Sequence, residues 1–254
     1  MSVLEKINVS RDRVVTGVVL LLGVLLIGII DNFILTWAVL GGVYLIAFYE
    51  ANKLFDVQNN SLYFYAAVLW IIAAFYPYGD DLFVLAGVVF ASAVAYTQKL
   101  EWKNFLGFIY PTAGMLFLLS MYNEYGMLAL LWLLVVVAMT DVGAYFTGKS
   151  IGKTKFCDTS PNKTLEGVIG GIAFATVAGF FVGLSVVDGE KAAIISLFVA
   201  ISSVFGDLFE SYLKRKAGVK DSGNILPGHG GILDRIDGYL FGSIVMLVLL
   251  RGIV

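Results

Sequence analysis

Cysteine, histidine and charged residues are scarce in this chain of 254 residues. The single cysteine, Cys157, cannot form an intrachain disulfide and cannot alone build a cysteine-based zinc site. The single histidine, His229, excludes a histidine-rich metal centre. Charged residues make up 14% of the chain, whereas soluble domains carry about 25%. The net charge of −2 provides no basic field, so no nucleic-acid partner is expected.

Long hydrophobic runs make up most of the sequence. Hydrophobic residues account for 59% of the chain, and the mean hydropathy is +0.87. Runs close to the ~20 residues that span a bilayer predict an all-α, polytopic integral membrane protein with about nine transmembrane helices. The runs are continuous rather than alternating, which argues against barrel strands. We place them at 14–30, 33–49, 61–77, 82–97, 105–122, 126–147, 167–187, 191–213 and 238–254.

The distribution of positive charge predicts the orientation of these helices. With nine spans, all of the 17 lysines and arginines except Lys191 and Arg251 fall on the side that holds the N-terminus. The positive-inside rule then places the N-terminus in the cytoplasm. The first run follows basic residues, as a signal peptide does, but no small-residue cleavage site follows it, so we interpret it as an uncleaved helix.

Loop composition divides the chain into two regions. Residues 1–125 form an N-terminal region of about five helices joined by short loops. Residues 126–254 form a catalytic region of about four helices, with two polar loops at 148–166 and 214–237 on the predicted cytoplasmic side. We find no internal repeat of the kind that many transporters show.

Three acidic residues lie within hydrophobic runs: Asp141, Asp207 and Glu210. A charge at membrane depth is costly, so such residues usually serve a function. Asp141 and Asp207 each lie six residues before the predicted cytoplasmic end of their span, at matched depth. Asp207, Glu210, Ser211 and Lys214 share one helix face by their spacing. The alternative is a structural salt bridge between a lysine and Asp207 or Glu210.

The second polar loop adds Asp221, Asp234 and Asp237. Asp234 follows a glycine-rich turn at residues 228–231, and glycines allow backbone N–H groups to approach an anion. Oxygen ligands without a cysteine or histidine cluster suit Mg²⁺, which binds carboxylates together with phosphate oxygens. Helix capping is the alternative for Asp237.

Nine cations occupy the same two loops, and they favour a polyphosphate substrate over lipid anchoring alone. They are Lys149, Lys153, Lys155, Lys163, Lys214, Arg215, Lys216, Lys220 and Arg235. Residues 143–150 match the G-x-x-x-x-G-K-[ST] phosphate loop literally. Their first half belongs to a predicted helix whose amides are already bonded, so we do not interpret them as a phosphate loop, although Lys149 remains available to phosphate.

Residues 211–237, SYLKRKAGVKDSGNILPGHGGILDRID, resemble the signature of phosphatidate cytidylyltransferases, also called CDP-diacylglycerol synthases. The pattern is S-x-x-K-R, four residues, K-D, a spacer, P-x-H-G-G, two residues and D-R-x-D. Two further stretches, Asp141 to Lys149 and Ser160 to Gly167, are similar to the same family. Asn162 departs from it, because most members have lysine or arginine there. The resemblance is strong over about 138–240.

The resemblance implies that CTP and phosphatidic acid react to give CDP-diacylglycerol and pyrophosphate in phospholipid biosynthesis. Because the lipid phosphate is already anionic, no general base is required, and catalysis rests on positioning and charge neutralisation. The resemblance also implies a homodimer in contact with membrane lipids, in a bacterial inner membrane with the active site facing the cytoplasm.

Specific residues take roles under this interpretation. The predicted catalytic residues are Lys214, Arg215, Lys220, Asp221, His229, Arg235 and Asp237. The predicted substrate-binding residues are Lys149, Ser160, Lys163, Thr164, Glu166, Ser211, Asn224, Gly230 and Gly231. Mg²⁺, with room for a second cation, is expected at Asp207 and Asp234, with Asp141 as the next candidate.

Two other functions remain open at this point. A CDP-alcohol phosphatidyltransferase would use a motif that begins D-x-x-D-G, as residues 234–238 do, but the further aspartates of that motif are missing here. An ion-coupled transporter would use Asp141, Asp207 and Glu210 as a relay. It would not explain the glycine-rich turn beside nine loop cations.

Overall fold

A computed structural model describes residues 11–253, with side chains from Val14 onward. Eight α-helices account for most of this part of the chain, and the described residues form no β-strand beyond two isolated bridges. The predicted all-α class is therefore confirmed. The helices are α1 (Arg11–Ile30), α2 (Phe33–Leu54), α3 (Ser61–Ala73), α4 (Asp81–Thr97), α5 (Ala113–Ile151), α6 (Leu165–Gly183), α7 (Gly189–Lys216) and α8 (Leu233–Ile253).

Helix α5 is two helices that meet at Gly126. Its 39 residues would extend about 58 Å if straight, about twice the bilayer core. Gly126 instead has φ +74° and ψ −171°, and the chain reverses there. Gly114, near the start of α5, packs against Leu240 of α8, and Val137, in the second half, packs against Gly238, two residues before Leu240. The two halves thus form a helical hairpin. Its second half matches the predicted run 126–147, whereas its first half begins at Ala113 and covers only the later part of the predicted run 105–122.

Five helical segments of the described chain are long and apolar enough to cross a membrane: Phe33–Leu54, Trp102–Ile151, Leu165–Gly183, Gly189–Lys216 and Leu233–Ile253. Three apolar segments are shorter, at Val14–Ile30, Ser61–Ala73 and Asp81–Thr97. The protein is accordingly a polytopic helical membrane protein, and nine spans remain a prediction.

The last helix begins earlier than hydropathy indicates. It starts at Leu233 rather than at residue 238, so Asp234 and Asp237 lie within its first two turns. Carboxylates are stabilised near a helix N-terminus, and a count of apolar residues omits them. Helix α7 likewise extends three residues beyond the predicted run, through Lys214, Arg215 and Lys216, because cations are stabilised in the last turn of a helix.

Close helix packing holds the helices after Gly126 together. The second half of α5 packs on α6 at Gly143 and Gly171, where an added Cβ would collide with the neighbouring helix. Gly206 of α7 similarly lies against the backbone of Asp237 in α8. Small residues let helix backbones approach closely, as membrane helices often require. This packing brings the polar residues at one end of α5, α7 and α8 together.

An ion cluster joins the opposite ends of these helices. The Arg251 guanidinium, near the end of α8, binds Asp80 with N–O distances of 2.6 and 2.9 Å. It also binds Glu124, just before the Gly126 reversal. Burial opposes ionisation of Asp80, but the hydrogen bonds from Arg251 outweigh it and keep the pKa of Asp80 below its usual value.

Candidate active site

Lys163 reaches across from the first polar loop to α7. Its ammonium group forms an ion pair with Asp207 Oδ2, and Ser211 Oγ donates to Asp207 Oδ1 at 3.3 Å. The loop folds back on itself to place Lys163: Phe156 N–H donates to the Lys163 carbonyl at 2.9 Å, and Leu165 N–H to the Thr154 carbonyl at 2.9 Å. The predicted polar face of α7 therefore contacts Lys163 of the first polar loop. This contact agrees both with a functional role for Asp207 and with a structural salt bridge.

Two residues predicted to bind substrate have structural partners in that first loop. Glu166 accepts hydrogen bonds from the backbone N–H groups of Lys153 and Thr154, each at 3.1 Å. Thr164 caps α6 by accepting from Gly167 N–H at 3.2 Å. The half-buried Ser160 belongs to the same folded loop, since its carbonyl accepts a hydrogen bond from Lys163 N–H. Lys149 lies apart, with its ammonium group near the Tyr145 ring and hydroxyl.

Lys214 links α7 to α8. Its ammonium group lies 2.8 Å from Glu210 Oε2 and 2.7 Å from Asp234 Oδ1, and its side chain is 12% exposed. Glu210 is fully buried, and its Oε1 has no hydrogen-bond partner among the described residues. The salt-bridge alternative for Glu210 is thus present in the structure, and it positions a lysine of the predicted catalytic set.

Asp234 holds the second polar loop onto the start of α8. Its Oδ2 accepts from Gly231 N–H at 2.7 Å, and from Ser222 N–H and Ser222 Oγ at 3.0 Å each. With Lys214 on Oδ1, four protein donors surround the carboxylate, whose side chain is 4% exposed. The Gly231 amide, expected near phosphate, therefore bonds to Asp234.

The loop between α7 and α8 lines an open polar cavity of about 620 Å³. Helix α7 ends in a Schellman motif, with Val219 N–H donating to the Lys214 carbonyl and Gly218 at φ +71°. A tight turn follows, in which Leu226 N–H donates to the Gly230 carbonyl. Six predicted site residues line the cavity: Lys220, Asp221, Asn224, His229, Gly230 and Arg235.

His229 and Arg235 are fixed within this cavity. Arg235 Nε donates to the His229 carbonyl at 3.1 Å. The imidazole lies against Gly17 of α1, and its Nδ1 is buried without a hydrogen-bond partner among the described residues. Thr16 Oγ1 donates to the Pro227 carbonyl at 3.0 Å, so the first helix also contacts this loop.

Other basic residues lie outside the cavity. Arg215 is exposed on the last turn of α7. Lys216 lines a different cavity, of about 600 Å³, together with Lys53 and apolar residues of α2 and α7. By helical spacing, Lys216 is on the side of α7 opposite Asp207.

Three carboxylates lie near one another where α5, α7 and α8 meet. Asp141, Asp207 and Asp237 are close enough for their charges to interact, and Lys163 and Arg235 lie near Asp141. Within residues 14–253, no group of three such side chains already has metal-ligand geometry. The donor chemistry of this trio fits Mg²⁺, which prefers oxygen ligands. Asp234 fits less well, because a cation would have to displace Lys214.

Two residues from the N-terminal region reach the site although sequence analysis did not identify them. Glu50, on the last turns of α2, accepts hydrogen bonds from Ser222, Ile232 and Leu233. Tyr110, in the short helical turn before α5, interacts electrostatically with Glu210, and its buried hydroxyl has no partner among the described residues. The sequence holds one sign that Glu50 could belong to the site, namely that it directly follows the hydrophobic run 33–49.

Buried acids, paired lysines and a polar cavity lie together at one end of apolar helices. This arrangement defines a membrane enzyme for phosphate-bearing substrates. The chain belongs to the cytidylyltransferase family, which matches residues 11–253. It is 47% identical to the phosphatidate cytidylyltransferase of Helicobacter pylori (strain J99), covering 97% of this chain and 94% of that protein.

More distant bacterial relatives carry the same name. The phosphatidate cytidylyltransferase of Thermotoga maritima is 36% identical over 84% of this chain and 87% of its own length. That of Bacillus subtilis (strain 168) is 35% identical over 91% of this chain and 94% of its own length. The resemblance found in residues 211–237 is confirmed, and family membership decides against the transporter and the CDP-alcohol phosphatidyltransferase.

Proposed function

We propose that the protein transfers the cytidylyl group of CTP to phosphatidate, giving CDP-diacylglycerol and pyrophosphate. The observation that carries this proposal is the meeting of a polar cavity with two ion pairs at one end of apolar helices: the largely buried pair Lys214–Asp234 and the partly exposed pair Lys163–Asp207. The cavity volume of about 620 Å³ lies within the usual range for small-molecule sites. Its lining is polar, which suits CTP, while the lipid substrate approaches from the membrane.

The reaction requires no proton transfer at the attacking atom. A phosphate oxygen of phosphatidate forms a bond to the α-phosphorus of CTP, and the bond from that phosphorus to the α,β-bridging oxygen breaks. The electron pair leaves with pyrophosphate. Because both substrates are anions, the protein must position them and neutralise charge. Lys220 and Arg235 line the cavity for this role, and Lys214 and Lys163, which are paired with Asp234 and Asp207, add two further cations.

The acidic residues keep these lysines in place before substrates bind. Lys214 lies between Glu210 and Asp234, and Lys163 binds Asp207. Hydrogen bonds to carboxylates hold the ammonium groups in fixed positions, so less reorganisation is needed when phosphates arrive.

Mg²⁺ is the proposed cofactor, with room for a second cation. Asp207 would hold it together with Asp141 and Asp237, and Asp234 would contribute only after releasing Lys214. When bound, the cation would neutralise phosphate charge. The residues of the chain bind and orient the substrates around it.

The proposed orientation places the N-terminus and both polar loops in the cytoplasm, where CTP is available, in a bacterial inner membrane. The asymmetry of lysine and arginine across the nine predicted spans supports this orientation. A homodimer is a further proposal that rests on family resemblance, and the mass of the detergent-solubilised protein measured by light scattering tests it.

Incorporation of radiolabelled CTP into lipid by the purified protein tests the proposed function. The expected result is a CTP-dependent, phosphatidate-dependent lipid product together with stoichiometric pyrophosphate. Diacylglycerol in place of phosphatidate is the matched control, because it lacks the attacking phosphate. Absence of a lipid product with phosphatidate would contradict the proposal.

A further inference from the structure

We propose that Glu50, in the N-terminal region, is a positioning residue for the CTP-binding loop. The inference rests on the proposed function, and it assigns a role in substrate binding to a helix outside the sequence signature. Glu50 touches neither the reacting atoms nor the cavity lining. It acts through two backbone amides and the Ser222 hydroxyl, which lie in the loop that connects α7 to α8 and at the first residue of α8.

The Glu50 carboxylate has three hydrogen-bond donors in this loop, and it shares one of them, the single hydroxyl proton of Ser222, with Asp234. Oε2 accepts from Leu233 N–H at 2.8 Å and from Ser222 Oγ at 3.1 Å, while Oε1 accepts from Ile232 N–H at 3.2 Å. The residue is 1% exposed. These three donors are neutral, unlike Lys214, which compensates the charge of Asp234. A buried carboxylate therefore depends on this loop for its hydrogen bonds.

The contacts join the two ends of the loop. Ser222 lies near its start, whereas Ile232 and Leu233 lie at its end. The residues between them include Asn224 and His229, which line the polar cavity. Asp234 binds the same two ends through Ser222 and Gly231, so the two carboxylates close the loop together. The separation of the cavity residues is thus fixed partly from α2.

The glycines of the loop make room for Glu50. A Cβ on Gly223 would collide with Glu50 Oε1, and a Cβ on Gly231 would approach Oε2 to 2.5 Å. Gly231 lies at φ outside the left-handed region, so conformational freedom does not explain its identity. Close approach of the Glu50 carboxylate and of the Ser222 hydroxyl explains it instead. The loop sequence is therefore matched to a residue about 180 positions earlier.

Glu50→Gln is the principal test. Glutamine keeps the size of the side chain but presents an NH₂ group to one of the N–H donors, so at least one hydrogen bond is replaced by repulsion. The expected result is a KM for CTP raised by about tenfold or more, with the KM for phosphatidate within about twofold. A tenfold rise corresponds to about 1.4 kcal/mol. Direct titration of CTP onto the purified protein should show the same weakening.

Matched variants separate this role from general destabilisation. Gly223→Ala should displace the same carboxylate and raise the KM for CTP, and it keeps the test valid if Glu50→Gln fails to fold. Glu101→Gln, at an exposed acid, and Gly42→Ala, where a Cβ meets open space, should leave both KM values unchanged.

Two outcomes would overturn the inference. One is a folded Glu50→Gln variant with an unchanged KM for CTP. The other is a uniform loss of active protein, seen as a lower kcat with both KM values unchanged, which would indicate a merely structural role. If the wild-type protein forms no CDP-diacylglycerol, the proposed function fails instead, and the two failures are therefore distinguishable.

Discussion

Single carboxylates in this site differ in what surrounds them. Asp207 has one ion-pair partner and one hydroxyl donor, and its side chain is 31% exposed. Asp234 has four donors and is 4% exposed. A carboxylate with fewer protein partners and more access is the better cation ligand. The structure therefore favours different roles for two aspartates that the sequence alone assigned to the same metal.

Asp207 and Asp234 should respond differently to Mg²⁺. We expect Asp207→Asn to lower turnover by at least about a hundredfold, and Asp207→Glu to raise the Mg²⁺ concentration for half-maximal activity, since Mg²⁺ tolerates little change in geometry. Asp234→Asn should chiefly raise the KM for CTP by loosening the loop. Initial rates across a Mg²⁺ titration measure both effects. Near-normal Mg²⁺ dependence and turnover in Asp207→Asn would contradict the metal assignment.

Arg235 and Lys216 are cations of one loop region with different surroundings. Arg235 lines the polar cavity, whereas Lys216 is exposed and lines another cavity. Arg235→Ala should lower kcat/KM by about 10- to 100-fold, because a charge-assisted hydrogen bond contributes about 1.5–3 kcal/mol. Lys216→Ala should change it less than about twofold. If steady-state assays showed equal losses of kcat/KM for Arg235→Ala and Lys216→Ala, the loop would act only as a diffuse positive field.

At the scale of elements, the helical hairpin of α5 depends on one backbone conformation. Hydropathy predicted two runs separated at 122–126, and the reversal lies at Gly126. The pair φ +74°, ψ −171° belongs to a region that is essentially restricted to glycine. Since no atom lies within 4 Å of an added Cβ, the requirement for glycine is conformational rather than steric.

Gly126→Ala should destabilise the fold by about 1–3 kcal/mol through backbone strain alone. Gly42→Ala, within α2 and with open space for a Cβ, is the control and should not reduce stability. The midpoint of thermal unfolding in detergent, measured for both variants, tests the expectation. An unchanged midpoint for Gly126→Ala would show that the reversal tolerates a side chain.

Hydrophobic runs predicted the all-α class and the approximate positions of most helices, and the charges within those runs drew attention to Asp141, Asp207 and Glu210. They could not predict that α8 begins at Leu233, because its first turns carry Asp234 and Asp237. They also could not predict Glu50. Its partners lie in a distant loop, and no local pattern distinguishes a buried acid at the end of a helix from an exposed one.

For the whole molecule, the arrangement of charge makes the orientation testable. Asp188, at the start of α7, and Lys153 and Lys216, in the polar loops, are all exposed, so their reagent access depends on the side of the membrane. With Cys157 replaced by serine, a membrane-impermeant thiol reagent added outside should label Asp188→Cys and spare Lys153→Cys and Lys216→Cys. Labelling of Lys216→Cys from outside would reverse the orientation and remove the proposed access for CTP.

The contact between Glu50 and α8 also constrains how the protein is made. Leu233 follows Glu50 by 183 residues, and synthesis proceeds from the N-terminus. The Glu50 carboxylate therefore spends most of translation without the donors that surround it in the finished fold. During that interval it must remain hydrated, since an unpaired charge in the bilayer core would oppose insertion of α2. Glu50 lies on the last turns of α2, directly after the predicted hydrophobic run 33–49, so we expect it to stay at the water boundary until the final helix is made.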